Sequence, residues 1–264
     1  MAEPAQALPA FTEFAAPAAW RSIDFLSDLH LSESTPRTFE ALARHLRCTE
    51  ADAVFILGDL FEVWVGDDAR HEGFDASCTA MLAEASSQRF VGFMAGNRDF
   101  LVGTEMLADC GVERLDDPMV LIAFGERLLL SHGDALCLSD QPYQEFRREV
   151  RSERWQQRFL AQPLTQRRRI AAELRAESER LKSQQQPGKW VDLDAAATAA
   201  WMRAAGTPQF VHGHTHMPAT HEVAPGLTRH VLSDWDLDHP GVPRAQVLRW
   251  QRDRLARIAP ATSQ

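Results

Sequence analysis

A chain of 264 residues, 45% hydrophobic and 25% charged, holds one large α/β domain or a domain with a sizeable insertion. A net charge of −9 disfavours a nucleic-acid partner, and no apolar run approaches the roughly 18–20 residues that span a bilayer. The cysteines at 48, 78, 110 and 137 form no CxxC pair, which excludes a disulfide scaffold and reads as reduced thiols of a cytosolic protein.

Residues 1–20 carry eight Ala, three Pro and no Lys or Arg, without the basic start and apolar core of a secretory signal; they predict a disordered extension. From Ser22 to about Asp140, strand and helix patterns alternate. Five short apolar runs, each read as a buried strand, end on residues able to hold a metal. Ile23 to Ser27 leads into Asp28-Leu29-His30, and Val54 to Leu57 leads into Gly58-Asp59. Phe90 to Ala95 leads into Gly96-Asn97-Arg98-Asp99, and Leu128 to Leu130 into Ser131-His132-Gly133-Asp134. Phe210-Val211 leads into His212-Gly213-His214-Thr215-His216. Thr38 to Leu46 and Ala76 to Ala85 have helical spacing between these runs. The whole predicts an α/β sandwich with helices over the sheet faces and ligands at the carboxyl ends of the strands.

Between about Gln141 and Lys189 the pattern turns helical. Phe146, Val150, Phe159 and Leu160 suit one helix; Ile170, Leu174 and Leu181 suit a second, with Pro163 at the break. From Arg147 to Lys182 there are ten Arg and one Lys against five Glu, a balance of +6. That charge fits a solvated helix face with i,i+4 pairs, and equally a surface turned to anionic substrate or lipid headgroups. Asp192 to Ala205 is a third helical stretch, Arg229 to Leu232 and Ala245 to Trp250 read as closing strands, and residues 259–264 as loose. The expected organisation is a core of 21–140 and 190–256 interrupted by a helical cap at 141–189.

Each ligand candidate taken alone has a bland alternative. Asp28 and Asp59 fit turn or cap positions, Asn97 fits a Gly-Asn turn, and His132 fits a core histidine. Asp28 with His30, and His214 with His216, are two apart and share one side of an extended segment. One of the three clustered histidines is read as merely buried. Five consecutive strand ends carrying such residues by accident is improbable, and the set suits a pair of divalent cations. Its oxygen and imidazole donors favour Mn²⁺, Fe²⁺ or Zn²⁺ over soft metals, while the histidines argue against Mg²⁺ and Ca²⁺. Asp59 is the natural bridging carboxylate, and hydrolysis of a phosphoester or phosphoanhydride follows. Arg98 is placed to hold phosphate, with an ion pair to Asp99 as the alternative. Asp134 is expected to orient His132 or His216.

The blocks Asp28-x-His30, Gly58-Asp59, Gly96-Asn97-Arg98-Asp99, His132-Gly133 and Gly213-His214-x-His216, in that order, resemble the calcineurin-like metallophosphoesterases. Arg98 stands where most of that superfamily has His. With Gly58 to Asp68 and Tyr143-Gln144-x-Phe146-Arg147 it is similar to the bacterial branch acting on UDP-2,3-diacylglucosamine in lipid A synthesis.

The resemblance implies a four-layer α-β-β-α sandwich with an inserted helical cap. It implies two Mn²⁺, one held by Asp28, His30, Asp59 and His216, the other by Asp59, Asn97, His132 and His214, with His212 unassigned. Asn97, Arg98 and His214 would serve catalysis and touch substrate. Asp140, Ser178, Lys182 and Gln185 would be cap contacts, although Lys182 and Gln185 stand where the branch more often has an amide and a lysine. The implied reaction cleaves the pyrophosphate by water attack on the uridine-side phosphorus. The implied setting is cytoplasmic and peripheral on the inner membrane, with no nucleic acid and no obligate protein partner. Competing readings are a nucleotide pyrophosphatase, a phosphoprotein phosphatase, a nuclease and a metal-binding scaffold without turnover.

Overall fold

The computed structural model describes residues 8–184 and 191–262. One sheet is built on three runs that the sequence marks as strands: β2 (Ser22–Leu26), β3 (Ala53–Leu57) and β4 (Phe90–Met94). Nearly every residue in them is buried, as expected of parallel strands covered on both faces. They pair in parallel in that order and continue to β5 (Glu113–Leu115), while β11 (Val247–Gln251) and β12 (Arg254–Ile258) extend the sheet antiparallel beyond β2. The second sheet has the order β1 (Thr12–Ala15), β6 (Met119–Ala123), β7 (Glu126–Ser131), β8 (Gln209–His212), β10 (Leu227–Val231), β9 (Ala219–Ala224).

Alternation along the strands assigns the layers. Ile23, Phe25, Phe55 and Leu57 face Leu121, Leu128, Leu130 and Val211 between the sheets. Val54 and Ile56 face outward, under α1 (Pro36–Cys48), α2 (Gly73–Ser86) and α3 (Thr104–Cys110). On the other side Val120, Leu129 and Phe210 lie under α7 (Ala195–Ala205), whose N-cap Asp194 accepts from Ala197 N at 2.8 Å. Helix, sheet, sheet, helix is the arrangement.

Residues 141–184 form three helices rather than the two expected. The first pattern is interrupted between α4 (Gln141–Val150) and α5 (Glu153–Leu160), where Ser152 accepts from Trp155 N and restarts the helix. After Pro163 comes α6 (Leu164–Gln184). Trp155, Phe159, Leu164 and Ile170 pack against the core cluster on the outer face of the first sheet. The arginines largely join this segment to acids of the core. Arg167 grips Asp68 with two nitrogens, Arg168 pairs with Glu72 at 3.0 Å, and Arg175 with Glu62 at 3.2 Å. Only Arg169–Glu173 among the described ion pairs of α6 has i,i+4 spacing.

The disordered extension expected at 1–20 is corrected for residues 8–20. β1 pairs in parallel with β6, and Phe14 packs on Trp20, Phe55 and Phe90 with ring centroids 5.1–6.1 Å apart. Three aromatic residues among the alanines supply the apolar area that orders the segment; residues 1–7 lie outside the described range. The loose C-terminus is also corrected at Ala261, whose amide donates to His45 Nδ1 at 3.0 Å.

Candidate metal centre

β2, β3 and β4 run parallel, as do β7 and β8, so their carboxyl ends gather at one edge of the sandwich. The loops leaving β2 and β3 are laced together: Asp28 N donates to Gly58 O, and Leu29 N and His30 N both donate to Asp59 O. Six described non-glycine residues have positive φ, and five of them are Asp28, His30, Asp59, His214 and His216. Such backbone is strained for an L-residue and concentrates where surroundings impose it for a task. Gly58, at φ +90°, is required beside them, because a Cβ there would lie 2.5 Å from His132 Nδ1.

The predicted ligands converge. Among the described residues, two clusters place their ligand atoms within 4.8 Å of one another: Asp28 with His30 and His216, and Asp28 with Asp59 and His132. Asp59 faces both ways, with Oδ2 3.9 Å from His30 Nε2 and Oδ1 3.7 Å from His132 Nε2. Asn97 Oδ1 lies 3.0 Å from His132 Nε2 and 2.8 Å from His214 Nδ1. His30 Nε2 and His216 Nε2 are 3.2 Å apart.

The donor set fits a cation on hydrogen-bond grounds. A carbonyl only accepts, so the contact of His132 Nδ1 with Leu57 O at 2.9 Å makes Nδ1 the protonated nitrogen. The neutral ring then aims the Nε2 lone pair at Asn97 Oδ1, and a cation beside the two acceptors, 3.0 Å apart, satisfies both. Without a metal the histidine takes up that charge. Burial opposes it, but Asp59, Asp134 and Asp28 push His132 up to about 9. Burial also opposes ionisation of Asp28, yet neighbouring His216 holds its carboxyl well below the usual range. His214 goes the other way, lowered to about 4 by burial and by His132. The concentration of negative charge is what divalent cations neutralise.

Asp99 does not pair with Arg98. Fully buried, it accepts from Gly96 N and Leu60 N at 2.7 Å, and from Asp59 N and Phe61 N at 3.3 Å, clamping the loops after β3 and β4 together. Burial and the Asp59 charge push it up to about 7. Arg98 is held at the rim by Glu62, 3.6 Å away, and its backbone N donates to Asp59 Oδ1 at 2.8 Å.

Asp134 is corrected as well: no described hydrogen bond joins it to His132 or His216. Its carboxylate accepts from Tyr143 Oη at 2.6 Å and Arg147 Nε at 2.8 Å, and Arg151 lies at 3.5 Å. Arg151 also donates to Gly96 O at 2.9 Å, and the Tyr143 ring stacks on His214, so α4 is fastened to both flanks of the centre. His212 is the histidine that is merely buried. It sits against Phe210 on the α7 side, lowered to about 3 by burial and Arg229. Cys137 is an inert buried thiol, pushed up to about 12 by burial.

Two participants escaped the sequence reading. Glu62 Oε2 lies 3.1 Å from His30 Nδ1, and Asp234 Oδ2 lies 3.8 Å from His216 Nδ1 while Arg244 grips the same carboxylate at 2.7–3.0 Å. Val231-Leu232-Ser233-Asp234 repeats the signature of an apolar run ending on an acid, and that signal was present. Of the expected cap contacts, Asp140 caps α4, accepting from Tyr143 N at 3.1 Å. Ser178 and Lys182 lie on α6, with their side chains undescribed, and Gln185 falls outside the described residues.

An edge of Asp, His and Asn side chains, fully enclosed only at Asp28, Asp59 and His132, on an α-β-β-α sandwich is what a metal-dependent phosphoesterase requires. The chain matches the calcineurin-like phosphoesterase family over residues 21–218 and belongs to it. More particularly, it is 46% identical to the UDP-2,3-diacylglucosamine hydrolase of Ralstonia nicotianae over 90% of this chain and 92% of that one. Relatives with the same name from Chromobacterium violaceum and Stenotrophomonas maltophilia are 43% and 38% identical. These alignments cover 81% and 88% of this chain and 90% and 98% of theirs.

Proposed function

We propose that this chain hydrolyses the pyrophosphate bond of UDP-2,3-diacylglucosamine, giving UMP and 2,3-diacylglucosamine 1-phosphate in lipid A synthesis. The observation that carries the reading is the 38–46% identity, over most of both chains, to relatives named for that activity. Two Mn²⁺ are the proposed cofactors, one between Asp28, His30, Asp59 and His216, the other between Asp59, Asn97, His132 and His214. Bound there, divalent cations supply Lewis-acid polarisation of phosphoryl oxygens and acidify water for attack on the uridine-side phosphorus.

The protein's own groups do the rest. Arg98 has room at the rim to exchange its 3.6 Å contact with Glu62 for a charge-assisted bond to a phosphate oxygen. His214 and Asn97 position the diphosphate beside it. Residues 141–189 act as a cap over the lipid half, with Asp140, Ser178, Lys182 and Gln185 as its contacts. Large apolar side chains left exposed support this: Val63, Phe146, Leu160 and Leu174 are 39–45% accessible. Arg148, Arg154 and Arg158 are exposed on the same helices as Phe146 and Leu160, which suits an anionic bilayer surface. No described helix is long and apolar enough to cross a membrane. Peripheral association with the cytoplasmic face of the inner membrane, with no obligate protein partner, is the proposed setting.

Turnover of UDP-2,3-diacylglucosamine with Mn²⁺ in ¹⁸O water tests the reaction. Label is expected in UMP; label in the sugar phosphate, or no turnover, would refute it. Flotation with anionic vesicles tests the setting. An Arg148→Glu/Arg154→Glu/Arg158→Glu variant should float less than the parent, and equal flotation removes that part of the proposal.

A further inference from the structure

The two halves of the centre are backed by different parts of the chain. His30 has Glu62 at 3.1 Å and His216 has Asp234 at 3.8 Å. The half made by Asn97, His132 and His214 is backed by α4 and its C-cap Arg151, and both links meet at Asp134. Asp134 lies on the same loop as His132, two residues further on. Its Oδ2 accepts from Tyr143 Oη at 2.6 Å, and the Tyr143 ring lies over His214 with centroids 5.9 Å apart and planes 28° apart. Arg151 Nη2, 3.5 Å from the same oxygen, donates to Gly96 O at 2.9 Å, and Gly96 directly precedes Asn97. Among the described residues, no hydrogen bond or ion pair from α4 reaches Asp28, His30 or His216.

We propose that Asp134 is a positioning residue for one cation of the pair: through Tyr143 and Arg151 it sets how tightly Asn97, His132 and His214 hold their metal, without touching it. The inference rests on the two-cation centre proposed above. An imidazole binds a metal well when its ring is already turned to the ion, and ordering it at the moment of binding costs affinity. The Tyr143 plane against His214 restrains that ring, and the hydroxyl anchored on Asp134 keeps the plane in place. Arg151 on Gly96 O restrains the peptide that leads into Asn97.

The charge of Asp134 is what keeps this frame assembled. The side chain is fully buried, with Arg147 Nε at 2.8 Å and Arg151 at 3.5 Å as its cations. A buried carboxylate that loses such partners is strongly destabilising, so α4 cannot leave the edge of the sandwich without stranding it. Gln144 Nε2 adds a bond to the Asp134 carbonyl at 2.8 Å. The first helix of the cap segment is thereby part of the metal centre's own support. A role confined to anchoring that helix would loosen both cations alike or neither, whereas positioning acts on one.

Calorimetric titration of full-length, metal-free protein with Mn²⁺ tests this, with circular dichroism to confirm that each variant is folded. The parent should bind two Mn²⁺. Asp134→Asn keeps an acceptor for Tyr143 and removes the charge that holds Arg151. It should weaken one cation by about ten- to hundred-fold and leave the other at parental affinity. At two equivalents of Mn²⁺, electron paramagnetic resonance should show a spin-coupled pair in the parent and an isolated ion in the variant. Tyr143→Phe keeps the stacked ring and loses only the hydroxyl. It should weaken the same cation by about three- to ten-fold, as loss of one hydrogen bond would, and it decides the matter if Asp134→Asn does not fold. Glu62→Gln, which acts at His30, identifies the half affected: combined with Asp134→Asn it should weaken both cations. Equal weakening of both cations by Asp134→Asn, unaltered affinity in either folded variant, or loss of the same cation as in Glu62→Gln would overturn the assignment. A parent that binds fewer than two Mn²⁺ would instead refute the two-cation reading itself, a result read from the parent alone.

Discussion

The Glu62 carboxylate touches His30 Nδ1 at 3.1 Å with one oxygen and Arg98 at 3.6 Å and Arg175 at 3.2 Å with the other. One side chain thus fixes a candidate ligand ring, the rim cation and a helix of the cap segment. Burial opposes charge on both His30 and Glu62. The pairing nevertheless raises His30 and lowers Glu62 from their ordinary values. Glu62→Gln keeps the shape and removes the charge. Divalent-cation affinity should fall roughly ten- to hundred-fold, as when an outer partner of a ligating histidine is lost. Calorimetric titration of metal-free protein checks this, and unchanged affinity would restrict Glu62 to holding Arg98 and Arg175.

Asp59→Asn separates stability from activity. Asn keeps an oxygen to accept from Arg98 N, now at 2.8 Å, and removes the charge that helps push Asp99 up to about 7. The metal-free variant should melt several degrees above the parent while phosphoester hydrolysis falls by about 10³-fold or more, the trade expected where function crowds like charges. A lower melting point would show that the crowding is not destabilising.

The buried cluster of Asp24, Arg249, Thr49 and His45 makes a pH-dependent prediction away from the centre. Arg249 Nε and Nη2 donate to Asp24 at 2.7 and 2.8 Å, and Thr49 Oγ1 donates at 2.6 Å. Burial alone would raise Asp24, but Arg249 and His45 bring it to about 2, below the ordinary 3.8. Because the folded value is the lower one, this contribution is full above about pH 4 and is lost as pH falls through about 2. Arg249→Met should destabilise by about 3–5 kcal/mol at pH 7, the range for stranding a buried charge. Urea titrations should show the difference shrinking below pH 4; a gap independent of pH would assign it to packing.

How much was legible in the sequence follows from burial. β2, β3, β4, β7 and β8 announced themselves because strands covered on both faces leave unbroken apolar runs, and the loops that follow them carried the candidate ligands. The three-residue β5 and seven-residue α3 were too short for a periodic signal, and the exposed β9 had none. Asp134 was placed correctly but given the wrong partners, because Tyr143 and Arg147 reach it from a helix whose docking no local pattern encodes. The ties of the cap arginines to the core were illegible for the same reason: Arg167 and Asp68 are 99 residues apart.

The edge strand β1 makes the last prediction. Phe14 is only partly buried, so Phe14→Ala should lower stability by about 1–3 kcal/mol, less than a fully enclosed phenylalanine. Cation affinity should be unchanged, since β1 is an edge strand and β6 separates it from β7 and β8, which lead to His132 and His214. Thermal melts with and without Mn²⁺ distinguish the two quantities, and a matching loss of affinity would contradict the separation.

The left-handed backbone at Asp28, His30, Asp59, His214 and His216 narrows what evolution or an engineer can place there. Aspartate, asparagine and histidine visit that conformation more readily than most side chains. Exchanging Asp28 or Asp59 for glutamate retains a carboxylate while imposing a second penalty from handedness. Donor chemistry alone therefore underestimates how few residues these loops accept, and redesign for another metal must begin from the main chain.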